Sequence, residues 1–222
     1  WHSENILNKF GNVKWNEAII ELHKPENIGK YKKNFYQRLA FDEIFSTFLV
    51  NSEIRKKIKK IKKEGKSIDY TKQNNIIKNL KFSLTNDQKK TLEEINLDLS
   101  STNKMFRLLQ GDVGSGKTIV SLLAAFNTVN SGFQVAVMAP TEILARQHYN
   151  FATKIFSNQI RMELISGKSE YKTKKEILKK LAKNEIDIIF GTHAIFQKKV
   201  FFKNLGLIII DEQHKFGVNQ RK

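Results

Sequence analysis

One eight-residue stretch constrains the fold of this chain more than any other: Gly111-Asp112-Val113-Gly114-Ser115-Gly116-Lys117-Thr118. It fits the spacing G-x-x-x-x-G-K-[ST], in which glycines let backbone N–H groups close around phosphate oxygens while a lysine and a hydroxyl meet the β/γ-phosphates and Mg²⁺. Such a loop works between a strand and a helix, and its flanks predict both. Residues 106–110 (Phe-Arg-Leu-Leu-Gln) read as a short apolar-rich strand, and residues 118–126 continue with helix-compatible apolar spacing. The glycines then precede a helix N-terminus, where free N–H groups and the positive end of the dipole attract anions.

A second segment supplies what a bare phosphate cradle lacks. Residues 205–210 (Leu-Gly-Leu-Ile-Ile-Ile) form a continuous apolar run of the kind found in a parallel strand buried on both faces, and Asp211 and Glu212 follow at its carboxyl end. Ligands of open α/β sheets bind at that end. Adjacent acids there divide the labour: one holds hydrated Mg²⁺, the other orients or deprotonates the attacking water. Alone, such a pair is an ordinary strand ending. Beside the phosphate loop it reads as the other half of an ATP site.

From Leu84 onward helical and apolar-strand patterns alternate. A helix is expected over residues 86–99, then strands near 106–110, 134–139, 161–165, 187–191 and 205–211, with helices at 118–130, 142–156 and 172–184. That order predicts an α/β domain over residues 81–222, a parallel sheet with helices on both faces. Residues 1–80 read differently, as a helical linker region. Residues 15–22 suit a short helix ended near Pro25. A longer helix over 34–63 places Leu39, Ile44, Phe48, Ile54, Ile58 and Ile61 on one apolar stripe. Its last segment is basic, with Arg55, Lys56, Lys57, Lys59, Lys60, Lys62 and Lys63, which suits either a phosphate backbone or a solvated helix end. Residues 66–83 are polar and read as an irregular connection.

Composition narrows the partners. Lys and Arg total 39 against 22 Asp and Glu, a net charge of +17, which favours a polyanion such as nucleic acid. The preference for Lys, Asn and Ile over Arg also fits biased base composition. With no cysteine, disulfides, thiolate chemistry and Cys-based metal sites are excluded. No run approaches a membrane span and no signal segment opens the chain, so a cytoplasmic location without membrane contact is expected. Starting at Trp1, the chain reads as a piece of a longer protein.

Further segments sharpen this. Ala139-Pro140-Thr141-Glu142-Ile143-Leu144-Ala145-Arg146-Gln147-His148 follows the second expected strand, Gly191-Thr192-His193-Ala194 the fourth, and Leu84-Thr85-Asn86-Asp87-Gln88 opens the domain. With the phosphate loop and Asp211-Glu212-Gln213-His214, these closely resemble superfamily-two helicases, and among them the RecG family of bacterial branch-migrating DNA helicases. The resemblance covers nearly the whole chain. It implies a RecA-like first motor lobe, residues 81–222, and a linker that follows a wedge domain. It also implies ATP and Mg²⁺ as cofactors, and forked DNA and Holliday junctions as partners of a monomeric enzyme.

Residue by residue, the resemblance makes Gln88 the adenine reader and Gly111, Gly114, Ser115, Gly116, Lys117 and Thr118 the phosphate site. It gives the metal to Thr118 and Asp211, and the chemistry to Glu212, Asp211 and Lys117. It gives DNA contact to Thr141, Glu142, Arg146, Thr192 and His193, and coupling to Gln213 and His214. For Thr and His at strand ends, capping of the next helix is the competing reading. The chain stops at Lys222, ahead of the family's second lobe and its arginine finger, a group worth about 10³ to 10⁵ in rate in related phosphoryl transfer. The stretch by itself is therefore expected to bind ATP and hydrolyse it very slowly. The rival enzyme is the transcription–repair coupling factor, from which Ser115, Asp-Glu-Gln-His and the helix start at 38–43 separate this chain. The rival outside enzymes is a nucleotide-gated DNA-binding module.

Overall fold

The apolar runs of the second half lie side by side in one parallel sheet. In the computed structural model, which describes residues 4–24, 32–60, 63–157, 159–165, 167, 171–196 and 200–212, the strands are β1 (Gln134–Met138), β2 (Met162–Ile165), β3 (Ile188–Gly191) and β4 (Leu205–Ile210). Their order is β2-β3-β1-β4. Every pairing is parallel, with Met138 in register with Gly191 on one side and Ile210 on the other. The carboxyl ends of β1, β3 and β4 are thus level.

Strand periodicity sends alternate side chains into two cores. Val135, Val137, Ile188, Phe190 and Leu207 face helices α5 (Asn86–Ser100), α6 (Lys117–Asn130) and α7 (Glu142–Phe156), whose Leu99, Leu122, Leu123, Phe126, Ala152 and Phe156 complete one core. Ala136, Ile165 and Ile189 face the other way, against Ile177 and Leu181 of α8 (Tyr171–Ala182) and Ile195 of a 3₁₀ turn (His193–Phe196). Helices cover both faces at β1 and β3, as the alternating pattern predicts, but β4, last in the strand order, is not the doubly buried strand its apolar run suggests: Ile208 and Ile210 are exposed. Gln134 at the start of β1 is fully buried, and its amide donates to the carbonyls of Leu181 and Ile186 and accepts from the Asn204 N–H. These bonds satisfy its polar atoms and pin the α8–β3 connection and the approach to β4 to the sheet.

The chain divides into two compact units, Trp1–Ile61 and Lys62–Lys222. The first contains α1 (Glu4–Asn8), α2 (Trp15–His23) and α3 (Lys32–Lys60). Phe10 meets Phe41, which stacks on Phe45, and buried Arg38 pairs with Asp42 one turn on at 3.0 Å. On the α3 stripe, Ile44, Phe48 and Ile54 are exposed. Ile61 and Lys62, and the side chains of Arg55, Ile58, Lys59 and Lys60, lie outside the described residues.

Three expectations need correction. Helix α3 ends at Lys60, and Lys63 instead donates its ammonium to the Asp98 and Leu99 carbonyls, capping the last turn of α5. Residues 66–83 are not an irregular connection: they hold α4 (Tyr70–Lys78), begun by Asp69, whose carboxylate accepts from Lys72 N–H at 3.0 Å. Helix α4 belongs with the second unit, because Ile76 joins its core and buried Gln73 accepts from the amides of Asn96 on α5 and Asn127 on α6. Finally, residues 106–110 form no strand. No described strand pairs with them, and Arg107 fastens the segment to α5 through Glu94 and Asp98 at 2.8 and 2.7 Å. Among the described residues no helix is long and apolar enough to cross a membrane.

Candidate nucleotide site

The phosphate loop is shaped by two left-handed glycines. Gly114 and Gly116 have φ of +83° and +80°, a region costly for residues with a Cβ. Gly116 is the N-cap of α6, so Lys117 and Thr118 open the helix and the first N–H groups point towards the loop. The Lys117 ammonium donates to the loop's own carbonyls, Gly111 at 2.7 Å and Asp112 at 2.6 Å. These are replaceable acceptors near the surface, and phosphate oxygens compete for the same donors.

Gln88 closes the loop from the side. It is the N3 residue of a capping box that starts α5: its N–H donates to Thr85 Oγ1 at 3.2 Å, and its Oε1 accepts from Thr85 N–H at 2.9 Å. The remaining end of the amide, Nε2, donates to the Ser115 carbonyl at 2.9 Å. A Cβ on Gly116 would lie 2.3 Å from that nitrogen. Gly116 is therefore needed twice, for its φ and for the room it leaves Gln88. The residue expected to read adenine is, in this structure, the clamp between α5 and the loop.

Asp211 stands immediately past β4, its N–H donating to the Met138 carbonyl at 2.8 Å. The ring Nε2 of His148, on α7, lies 2.8 Å from Asp211 Oδ2. That hydrogen bond holds the carboxyl below its ordinary value, supported by the ring's charge, the Glu212 N–H and the Lys117 ammonium, and opposed by partial burial. Glu212 follows with φ +51°, an uncommon setting for a residue with a Cβ. Gln213 and His214 lie outside the described residues.

The residues expected to touch DNA share the same edge of the sheet but differ in how occupied they are. Thr141 is the N-cap of α7, its hydroxyl accepting from Leu144 N–H at 3.3 Å. Glu142 accepts from Gly167 N–H on the β2–α8 connection. Thr192 is buried, and its carbonyl accepts from Ile195 N–H in the 3₁₀ turn. Arg146 and His193 are exposed. His148 is the residue sequence reasoning passed over. Its signal was its place on one helix face with buried Ala145 and Ala152, three residues before and four after.

The donor set fits Mg²⁺. The Thr118 hydroxyl and an ionised Asp211 carboxylate are hard oxygen ligands, few in number, of the kind the ion uses alongside phosphates and water.

The chain matches known proteins over nearly its whole length. The chain is 40% identical over 221 residues to the ATP-dependent DNA helicase RecG of Streptococcus pneumoniae, covering 99% of this chain and 32% of that protein. It is 43% identical over 220 residues to the RecG of Thermotoga maritima, covering 99% and 28%. The chain thus spans about a third or less of these relatives. A solved structure of RecG bound to a three-way DNA junction superimposes with a TM-score of 0.79 at 41% identity, over 97% of this chain and 30% of that one. The DEAD/DEAH box helicase family model matches residues 85–222, from the Thr85 cap of α5 through the phosphate loop to the acids after β4. On that match, and on a parallel α/β sheet that carries these elements at one edge, the chain belongs to the DEAD/DEAH box helicase family.

Proposed function

We propose that this chain is the first motor lobe, with its preceding helical region, of a RecG-like ATP-dependent DNA helicase. In the whole enzyme ATP hydrolysis would drive remodelling of forks and Holliday junctions by a cytoplasmic monomer. The observation that carries the reading is the loop itself, with Gly114 and Gly116 left-handed and Gly116 capping α6 so that Lys117 and Thr118 open the helix, in a sheet whose strand β4 ends at Asp211. The relatives named for the same activity support it. Lys117 would exchange the Gly111 and Asp112 carbonyls for β/γ-phosphate oxygens, while the N–H groups at the start of α6 take the rest of the phosphate charge. Thr118 and Asp211 would hold Mg²⁺, which when bound neutralises charge on those oxygens. Glu212 would orient and deprotonate the attacking water, and Gln88, already fixed by α5, would present its free amide positions to adenine. Arg146 and His193 would meet the DNA backbone, with Thr141, Glu142 and Thr192 holding the loops that carry them, and Gln213 and His214 would couple the two sites.

The test is Mg²⁺-dependent ATP binding and turnover by this chain, with and without forked DNA, beside Lys117→Ala. Binding that is lost in the variant, with slow turnover in the parent, is the expected result. Rapid turnover would mean the site is complete within these residues and would refute the two-lobe reading. Absence of binding in a folded sample would refute the nucleotide site.

A further inference from the structure

We propose that His148 is the positioning residue for the metal-facing carboxylate: by holding Asp211 Oδ2 it fixes the side-chain setting in which Asp211 would meet Mg²⁺ and its water shell. The inference rests on the reading of Asp211 as the metal partner and adds a residue to it. A carboxylate just past a strand end has two free side-chain torsions, and an ion that keeps most of its water is sensitive to where the single acid sits. In this chain both ends of Asp211 are fixed. Its backbone N–H is bonded to Met138 of β1, and its Oδ2 lies 2.8 Å from His148 Nε2. A carboxylate offers about four lone-pair positions, so the bonds from His148 Nε2 and the Glu212 N–H leave about two for an ion and its water.

The ring is itself held. His148 sits near the middle of the 15-residue helix α7, on the face where Ala145 and Ala152 are buried. The next residue, Tyr149, packs edge-on against Phe190 of β3 with ring centroids 5.8 Å apart. Only 15% of the His148 side chain is exposed, against 33% for Asp211. The imidazole is therefore carried to the strand end by a packed helix, not by a loop, and its reach is set before any ion arrives. Partners of this kind commonly change metal affinity by about 10- to 100-fold when removed.

The experiment measures binding, not turnover. Fluorescent ATP-analogue affinity is titrated against Mg²⁺ for the parent chain and for Asp211→Asn, His148→Ala, His148→Gln and His148→Asn. Gln reproduces a donor at the reach of Nε2, whereas Asn is too short. His148→Ala and His148→Asn should raise the half-saturating Mg²⁺ concentration by about 10-fold and leave affinity in excess chelator unchanged, with His148→Gln close to the parent. If the alanine variant does not fold, the Gln-against-Asn comparison decides. Equal Mg²⁺ dependence in all His148 variants, or a Gln variant as impaired as Asn, would overturn the proposal. So would an equal loss of affinity in chelator, because His148 would then act on the fold and not on the metal. If Asp211→Asn also leaves the Mg²⁺ dependence unchanged, the reading of Asp211 has failed. If Asp211→Asn abolishes it and His148→Ala does not change it, only the role of His148 has failed.

Discussion

Replacing Gly116 by alanine tests whether the loop is shaped by its own backbone alone or also by Gln88. Two costs arise. An alanine at φ +80° pays about 1–2 kcal/mol for the left-handed region. Its Cβ would also sit 2.3 Å from Gln88 Nε2 and 3.4 Å from Cδ, so the amide must leave. The amide then gives up the Ser115 carbonyl and, because its other end accepts from Thr85 N–H, loosens the capping box of α5, each worth about 1 kcal/mol. The expected destabilisation is about 3–4 kcal/mol in all. Gly114 is the control: its φ is +83°, but a Cβ there meets nothing within 4 Å, so Gly114→Ala should cost only the backbone part, about 1–2 kcal/mol. Urea unfolding followed by circular dichroism reads the difference, while fluorescence of Trp1 and Trp15 tracks the first unit separately. Adding Gln88→Ala to Gly116→Ala removes the clash, so the double variant should fall short of additivity by about 1 kcal/mol or more. Equal costs at Gly114 and Gly116, or strict additivity with Gln88→Ala, would refute the steric reasoning.

Three further outcomes are expected. Asn127→Ala should destabilise the second unit by about 2–3 kcal/mol in urea, since it removes the donor to Gln73 Oε1 and Asn96 Oδ1 in a buried amide cluster; Asn127→Asp should cost more at neutral pH, as a charge beside two acceptor oxygens. Burial pushes the Lys66 ammonium down to about 8 from 10.5, with Lys63 adding to the effect and Glu64 opposing it, over the face of Phe133. The folded state thus resists the proton, the penalty is fully present below about pH 8, and it is relieved as pH rises towards about 10.5. Lys66→Met should therefore be the more stable protein at about pH 7, by at most about 3 kcal/mol, with the advantage shrinking by about pH 10 in matched urea midpoints. Arg146→Ala should lower the slope of DNA affinity against salt by about one. Thr141→Ala, removing a cap, should leave that slope unchanged and cost about 1 kcal/mol of stability; a reduced slope for Thr141→Ala would show a direct phosphate contact instead.

Which parts of this architecture were legible follows from how locally each is determined. Strands β1, β3 and β4 announce themselves as short apolar runs and helices α5 to α8 by apolar spacing near 3.6, each written within its own segment, and Thr85 and Thr141 mark two of the helix starts. Helix α4 escaped because only Gln73 and Ile76 on it are buried, and a buried amide looks polar until its partners on α5 and α6 are known. Residues 106–110 have the composition of a strand, but a strand exists only with a neighbour, which no local pattern supplies. The site divides in the same way. The phosphate loop and the two acids are spelled out in short spacings, whereas the bond from His148 to Asp211 spans 63 residues and depends on the packing of α7 against the sheet.

The hydrogen bonds around the loop also say which part of it must move. Gln88 holds the Ser115 carbonyl from a helix cap, a contact independent of phosphate, so on the proposed reading that side of the loop would stay fixed with nucleotide bound. Lys117 does not share this independence, because its two acceptors are carbonyls of the loop itself, and a lysine that turns to phosphate must leave Gly111 and Asp112. Both carbonyls are near water and recover hydrogen bonds there, so the exchange costs little, while the lysine gains charged acceptors. On the proposed reading, nucleotide would draw Lys117 away from the carbonyls of residues 111–112 and leave the Gln88 bond to Ser115 in place, with Asp112 still accepting from the Ser115 N–H. The loop's response to ATP should then be confined to its entry, the segment that Arg107 ties to Glu94 and Asp98 on α5.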